Sequence, residues 1–368
     1  MVTDKSIYQI ALTQIKGIGI TLARTLMQTV GDEEAIFKES TKNLEKIPRI
    51  SRRLISEIHN SEVMKRSEEE LKFIEKNAID LHFFTSPLYP QRLTNCIDAP
   101  ILIYSKGNVD FNRAKTISIV GTRHASEYGK QCCEKIVKEL SERIPDLLII
   151  SGLAFGIDIC AHRAALKNNL STIAVLGHGL DRIYPAAHRK TAVEMLSHGA
   201  LISEFPSKTS PEGFNFVKRN RIVAGMADAV IVVESANKGG SLITADIANS
   251  YFREVFAIPG RVTDIHSVGC NKIITENKAV LFQDIESFLK QMGWNNDVKT
   301  EPKQRELFID LNEDEKRVVD ILYNKDSIQV NLLALELNTP VTDLFFTLLE
   351  LEMKNVVKAL PGGLYKLI

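Results

Sequence analysis

The chain has 368 residues, room for two or three domains, and carries 46 basic against 46 acidic side chains. That balance excludes a globally basic surface, so any contact with nucleic acid has to be local. The five cysteines (Cys96, Cys132, Cys133, Cys160, Cys270) include no CxxC pair, which argues against a zinc site or a disulfide framework and for a reducing compartment. The polar N-terminus shows no secretion signal and no apolar run approaches the ~18 residues of a membrane span. A cytoplasmic protein with no membrane partner is therefore expected.

In chain order, residues 1–76 read as a helical module. Ile10, Ala11 and Leu12 open an apolar face that continues to Leu22, Leu26 and Val30. Within it, Ile15-Lys16-Gly17-Ile18-Gly19-Ile20 sets two glycines two apart before a helix. That is the pattern of a helix-hairpin-helix turn, whose backbone N–H groups can grip a phosphate without reading sequence. A weaker echo, Ile47-Pro48-Arg49-Ile50-Ser51, has Arg49 and Ser51 in place of the glycines and promises a poorer grip. The module reads either as a DNA-contacting hairpin or as a unit for helical packing or protein contact.

Residues 77–112 hold the turn signals Tyr89-Pro90, Asp98-Ala99-Pro100 and Gly107-Asn108 and read as a tether with a short strand at 101–104. From 113 to 291, apolar runs alternate with helical patterns. Strands are expected at 117–120, 147–150, 172–176, 201–203, 230–233, 255–258 and 280–282. Helices are expected at 129–142, 157–168, 186–197, 218–226 and 242–252. Continuous apolar strands with crossover helices mean a parallel sheet covered on both faces. Residues 77–291 thus form one sheet domain with its tether, and 292–306 a polar linker. Residues 307–368 pattern as three helices and a hairpin, a winged helix. Its third helix presents Asp343, Glu350 and Glu352 where a major-groove reader needs Arg, Lys, Asn or Gln, so this module reads as a protein-contact unit.

The chemistry gathers at glycine-hinged strand ends. Gly121-Thr122-Arg123 ends the first parallel strand, beside the crevice where such sheets bind ligands. Arg123 reads as a phosphate clamp, with Ser126 helping at the next helix start. Gly152, in the loop 151–158, lets backbone N–H groups approach a phosphate. Lys218-Arg219-Asn220-Arg221 reads as a helix start behind Phe214 and Phe216. Guanidinium on phosphate with a ring on a base face suits a single strand, and stacking is worth ~1–3 kcal/mol per base. Lys238-Gly239-Gly240-Ser241 opens a further helix as an anion nest. The spacing is not that of a Walker A loop, and Gly177-His178-Gly179 lacks the third glycine of a dinucleotide fingerprint, so no cofactor is expected. Asp158 and His162 share a helix face but have no nucleophile, and read as a helix-start aspartate and a histidine bonded to a neighbouring loop. The remaining histidines have no metal-ligand spacing.

Taken together, several blocks resemble the DNA-processing protein A family (DprA, also called Smf). They are Gly121-Thr122-Arg123, the run from Ser151 to Leu166, the run from Ala174 to Asp181 with Tyr184-Pro185, Ile202-Ser203-Glu204-Phe205-Pro206, Arg219-Asn220-Arg221, and the run from Gly240 to Ala245. The resemblance is close over about 90 to 285. It departs at Val217, His188, Gly240 and the segment Glu276-Asn277-Lys278-Ala279. The fold class it implies is α/β: an extended Rossmann-like parallel sheet core, an N-terminal helix-hairpin-helix or SAM-like module and a C-terminal winged helix. The function it implies is non-catalytic: a homodimer that binds and shields incoming single-stranded DNA in natural transformation and loads a RecA-type recombinase onto it. The alternative is a phosphoribohydrolase of the lysine-decarboxylase-like fold acting on nucleotides. In 239–246, however, the second loop glycine of that group is missing, and Asp246 stands near where its glutamate would be.

Overall fold

The computed structural model describes residues 5–294, 311–323, 325, 327–360 and 362–368. The helical module holds α1 (Ser6–Gln14), α2 (Ile20–Val30), α3 (Glu33–Lys38), α4 (Thr41–Leu44), α5 (Arg52–Ile58) and α6 (Ser61–Asn77). Its two hairpins have the same backbone. Gly17 has φ +101° and Arg49 φ +67°. Ile18 N–H donates to Ile15 O, and Ile50 N–H donates to Ile47 O, each at 3.3 Å. Gly19 and Ser51 then stand at the N-caps of α2 and α5. Arg49 takes the left-handed conformation that Gly17 takes, so the second turn forms as the first does, while Ser51 Oγ accepts the Leu54 N–H at 3.3 Å and takes up one amide at the start of α5.

The sheet is nine-stranded, in the order β1-β2-β6-β5-β4-β3-β7-β8-β9. Its strands are β1 (Asp80–Phe83), β2 (Leu102–Gly107), β3 (Thr116–Val120), β4 (Leu148–Ser151), β5 (Ser171–Leu176), β6 (Gly199–Ser203), β7 (Ala229–Val232), β8 (Glu254–Ala257) and β9 (Val280–Leu281). Pairing from β6 through to β9 is parallel, while β1 and β2 are antiparallel additions to the β6 edge. Segment 77–112 is thus more than a tether with one strand. The strand β1 escapes a pattern reading because only four residues carry it and three of them are buried.

Between strands run α7 (Gln91–Thr94), α8 (Glu127–Arg143), α9 (Ile157–Lys167), α10 (Arg189–His198), α11 (Gly213–Gly225), α12 (Gly240–Ser250), α13 (Val268–Thr275) and α14 (Ile285–Gln291). Strands β3, β4 and β7 are wholly buried, as a sheet covered on both faces requires. From β3 the chain winds to β4, β5 and β6 on one side, then returns to start β7 on the other. The strand order therefore reverses at β3 and β7, and a crevice opens at their carboxyl ends.

The C-terminal unit holds α15 (Glu313–Tyr323), β10 (Ile328–Gln329), α16 (Val330–Leu337), α17 (Val341–Met353), β11 (Val357–Leu360) and β12 (Leu364–Leu367). It has its own apolar core around Val318, Leu333, Leu348 and Leu351. Asn312 and Glu315 cap α15 reciprocally, each accepting the other's backbone N–H at 2.8 Å. Beyond Trp294, the linker expected at 292–306 lies outside the described residues. Among the described residues no single helix is long and apolar enough to cross a membrane.

Candidate nucleic-acid interface

At the switch point a carboxylate of the chain itself fills the anion position. Glu234 follows β7 and is buried. Its Oε2 accepts the Ser126 backbone N–H at 2.9 Å, and its Oε1 accepts the Ser126 hydroxyl. Ser126 Oγ in turn accepts Gly129 N–H at 3.1 Å, capping α8. A helix N-terminus here is where a pyrophosphate would sit in a dinucleotide-binding sheet. Glu234 occupies it, and Gly129 is present because a side chain there would run into that carboxylate. Ser126, expected to help hold phosphate, is committed to Glu234 instead.

A second buried group lies under the tip of β4. Arg219 Nη1 donates to Val175 O at 2.6 Å, and its Nε has no partner among the described residues. A Cβ on Gly152 would overlap that guanidinium, so the close approach Gly152 permits is taken up by Arg219 rather than left open. Asp158 sits at the start of α9 and accepts N–H from Gly152 at 3.2 Å and Ala154 at 3.4 Å, shaping the loop. Burial pushes the Asp158 carboxyl up, while the Arg219 charge pulls it down. His162 is buried with Nδ1 2.7 Å from Thr172 Oγ1. The Thr172 hydroxyl donates to Ile149 O at 3.0 Å, so His162 Nδ1 carries the proton and donates to Thr172. Burial first, then the neighbouring Arg219 charge, push the His162 pKa down to about 3. The Asp158 and His162 pair is thus a structural support, as its lack of a nucleophile implied, though the histidine's partner is a strand residue.

Above these supports lies the exposed surface. Arg123 follows β3 and is exposed, with its guanidinium carbon 5.6 Å from the centroid of the Phe216 ring. Phe216 stacks on Tyr184, with centroids 5.7 Å apart and planes 29° from parallel. Gly177, at the tip of β5, lets Phe216 lie there: a Cβ would come within 2.7 Å of its ring. Phe155 is exposed beside His188, whose Nδ1 lies 2.8 Å from Leu153 O. Lys238, also exposed, precedes Gly239 and Gly240 at the N-terminus of α12, where Gly240 faces open space. Ser241 is buried and donates to Ser235 Oγ at 2.9 Å. Gly121 packs on Ile157, and the Thr122 N–H donates to Glu234 O at 2.8 Å, so this pair shapes the loop that carries Arg123.

The segment 218–221 differs most from expectation. Helix α11 starts at Gly213, so 218–221 lies mid-helix and offers no free N-terminal N–H groups. Its residues therefore diverge around the helix. Arg219 turns inward under β4 and β5, and Asn220 is half-buried. Lys218 and Arg221 turn to the other side, where both pair with Glu204, Lys218 at 3.1 Å. Together with Phe214 they line a groove of about 1120 Å³ facing the two hairpins of the helical module.

A family model described as DNA recombination-mediator protein A matches residues 80–293, and a DprA winged helix domain model matches 301–363. The chain belongs to this family. Protein Smf of Escherichia coli K12 is 35% identical over 312 residues, covering 82% of this chain and 81% of that one. DNA processing protein DprA of Streptococcus pneumoniae R6 is 42% identical over 188 residues, 51% of this chain and 66% of that one. The X-ray structure of the Streptococcus pneumoniae protein superposes with a TM-score of 0.61 at 30% identity, covering 79% of this chain and 98% of that chain. A structure of Helicobacter pylori DNA processing protein A, described for its single-stranded DNA binding mode, gives 0.52 at 28% identity over 58% of this chain and 94% of that chain. The Rossmann-like α/β class with a winged helix follows from these matches.

For a family member, the sequence reading missed Tyr184 and Glu234. Tyr184 precedes Pro185 in a loop where its ring had no obvious role, and Glu234 looks like any acid after a strand. The hydrolase alternative also loses its carboxylate. Asp246 is exposed and pairs with Lys278 at 3.5 Å, outside the crevice.

Proposed function

We propose that this protein is a non-catalytic, single-strand-binding recombination mediator that shields incoming DNA and passes it to a RecA-type recombinase in natural transformation. It works as a homodimer in the cytoplasm. The observation that carries the DNA reading is the Arg123 guanidinium set over Phe216 and backed by Tyr184, at strand tips whose underlying anion crevice is closed by Glu234. Arg123 swings off the Phe216 ring to take a phosphate, which opens that ring face to an unpaired base, and Lys238 with the α12 N-terminus takes a second phosphate. Gly121, Thr122, Gly152, Arg219, Asn220, Gly239 and Ser241 shape this surface from below or beside it. The recombinase and dimer parts of the reading rest on membership of the family.

The test is binding across a salt series. Arg123→Ala and Lys238→Ala should weaken single-strand binding to all sequences alike, and each should flatten log affinity against log salt by about 0.7. Phe216→Ala should reduce the preference for single over double strand. Native protein that binds both forms equally would refute the stacking surface. Incubation with nucleoside monophosphates that released free base would support the hydrolase instead.

A further inference from the structure

The groove on the far side of α11 is not used by the sheet-edge surface. One wall is made by both hairpin turns, with Gly17, Ile18, Gly19, Pro48 and Arg49 on its lining. These are the two turns with matching backbone geometry, and such turns present N–H groups to a phosphate. The opposite wall is α11 itself, with Phe214, Val217, Lys218 and Arg221. Phe214 is 76% exposed, so no described residue covers most of its ring. The charged lining residues are Arg49, Lys218 and Arg221 against Asp98 and Glu204, an excess of one positive charge. At the floor, Glu204 Oε1 and Arg221 Nη1 are buried and have no partner among the described residues.

We propose that this groove is a second nucleic-acid site, in which a single strand leaving the Phe216 surface crosses α11 and runs between that helix and the paired hairpins. This rests on the sheet-edge reading for the first part of the strand's path. Phe214 and Phe216 are two positions apart on one helix, so their rings emerge from opposite sides, and the strand needs to cover only about a helix diameter, ~10 Å, between them. The hairpins and the basic residues hold phosphates, and Phe214 holds a base. A groove with backbone on both sides suits one strand rather than the width of a duplex. The site therefore lengthens the footprint without adding base preference.

The experiment uses the full chain and labelled oligothymidylate of about four and about sixteen nucleotides, lengths that bracket the footprint of one small binding domain. The variants are Phe214→Ala, Lys218→Gln and Arg49→Gly, the last chosen because glycine keeps the left-handed turn. Phe214→Ala should weaken the longer strand by about fivefold or more while leaving the shorter unchanged, as loss of one stacked base predicts. Lys218→Gln and Arg49→Gly should each lower the salt slope of the longer strand only. Arg123→Ala should weaken both lengths. Unchanged binding of the longer strand in all three groove variants overturns the proposal. So does an equal loss at both lengths. Normal binding of both lengths by Arg123→Ala, with the groove variants still impaired on the longer strand, removes the sheet-edge reading but keeps the groove as a site.

Discussion

At the scale of single residues, the candidate interface is built by side chains that seal it as much as by those that face out. Glu234 closes the crevice, Arg219 fills the space above Gly152, and His162 holds its place by staying neutral. The last point has a measurable consequence. The folded His162 pKa of about 3 lies below the unfolded value of ~6.5. Between these values the unfolded chain binds a proton that the folded chain refuses, so this group's contribution is full above ~6.5 and is lost as pH falls toward 3. Asp158 acts with the opposite sign, since its raised carboxyl makes the folded chain the better proton binder just above 3.8. His162→Gln, which can still donate to Thr172, should flatten the fall in stability between pH 6.5 and 5, as read by denaturant melts at each pH. An unchanged slope would show that His162 is not what makes this protein acid-sensitive in that range.

At the scale of elements, strand tips and helix faces decide which residues meet. The parallel strands were legible because buried strands leave apolar runs, and Gly121 and Arg123 were legible because tips after such runs gather at one edge. The grouping of 218–221 into one patch was not legible. Phe214 and Phe216 look like the end of a loop, yet α11 starts before them, and the helical period then sends Arg219 inward and Lys218 and Arg221 outward. The shape of the second hairpin turn was not legible for a related reason: Arg49 adopts a backbone conformation that sequence assigns to glycine. The two tip glycines separate stability from binding. Gly152→Ala forces out a buried guanidinium and breaks its bond to Val175 O, so it should cost on the order of 3 kcal/mol in a thermal or denaturant melt. Gly177→Ala meets the half-buried Phe216 ring at 2.7 Å and the Phe216 backbone nitrogen at 3.2 Å but no buried charge, so it should cost less stability while weakening single-strand binding. If both variants lose stability alike, the Phe216 ring is part of the core rather than a platform for bases.

At the scale of the whole molecule, the winged helix stands on its own core and touches the sheet domain through the tip of its wing. Gly362 and Gly363, both at positive φ, lie against Arg253 and Phe252 beyond the C-terminal end of α12. Helix α17, where a DNA-reading helix would be expected, also reaches this side through Phe345, which lines a cavity with Phe252 and Lys278. It shows solvent Phe346, Leu349 and Met353 beside Asp343 and Glu350, a mixture suited to a protein partner and repelled by phosphate. The sheet domain keeps its final turn without the tail, because Trp294 packs edge-on against Phe288 and its N–H donates to Leu289 O at 2.8 Å. A chain ending after Trp294 should therefore fold and bind single strands within a few-fold of the full protein. Loss of most of the affinity in a truncated chain that still melts cooperatively would overturn this. Lys358 and Lys366, which face each other across β11 and β12, would then be the phosphate contacts, since an anion between them relieves the repulsion of like charges directly opposite.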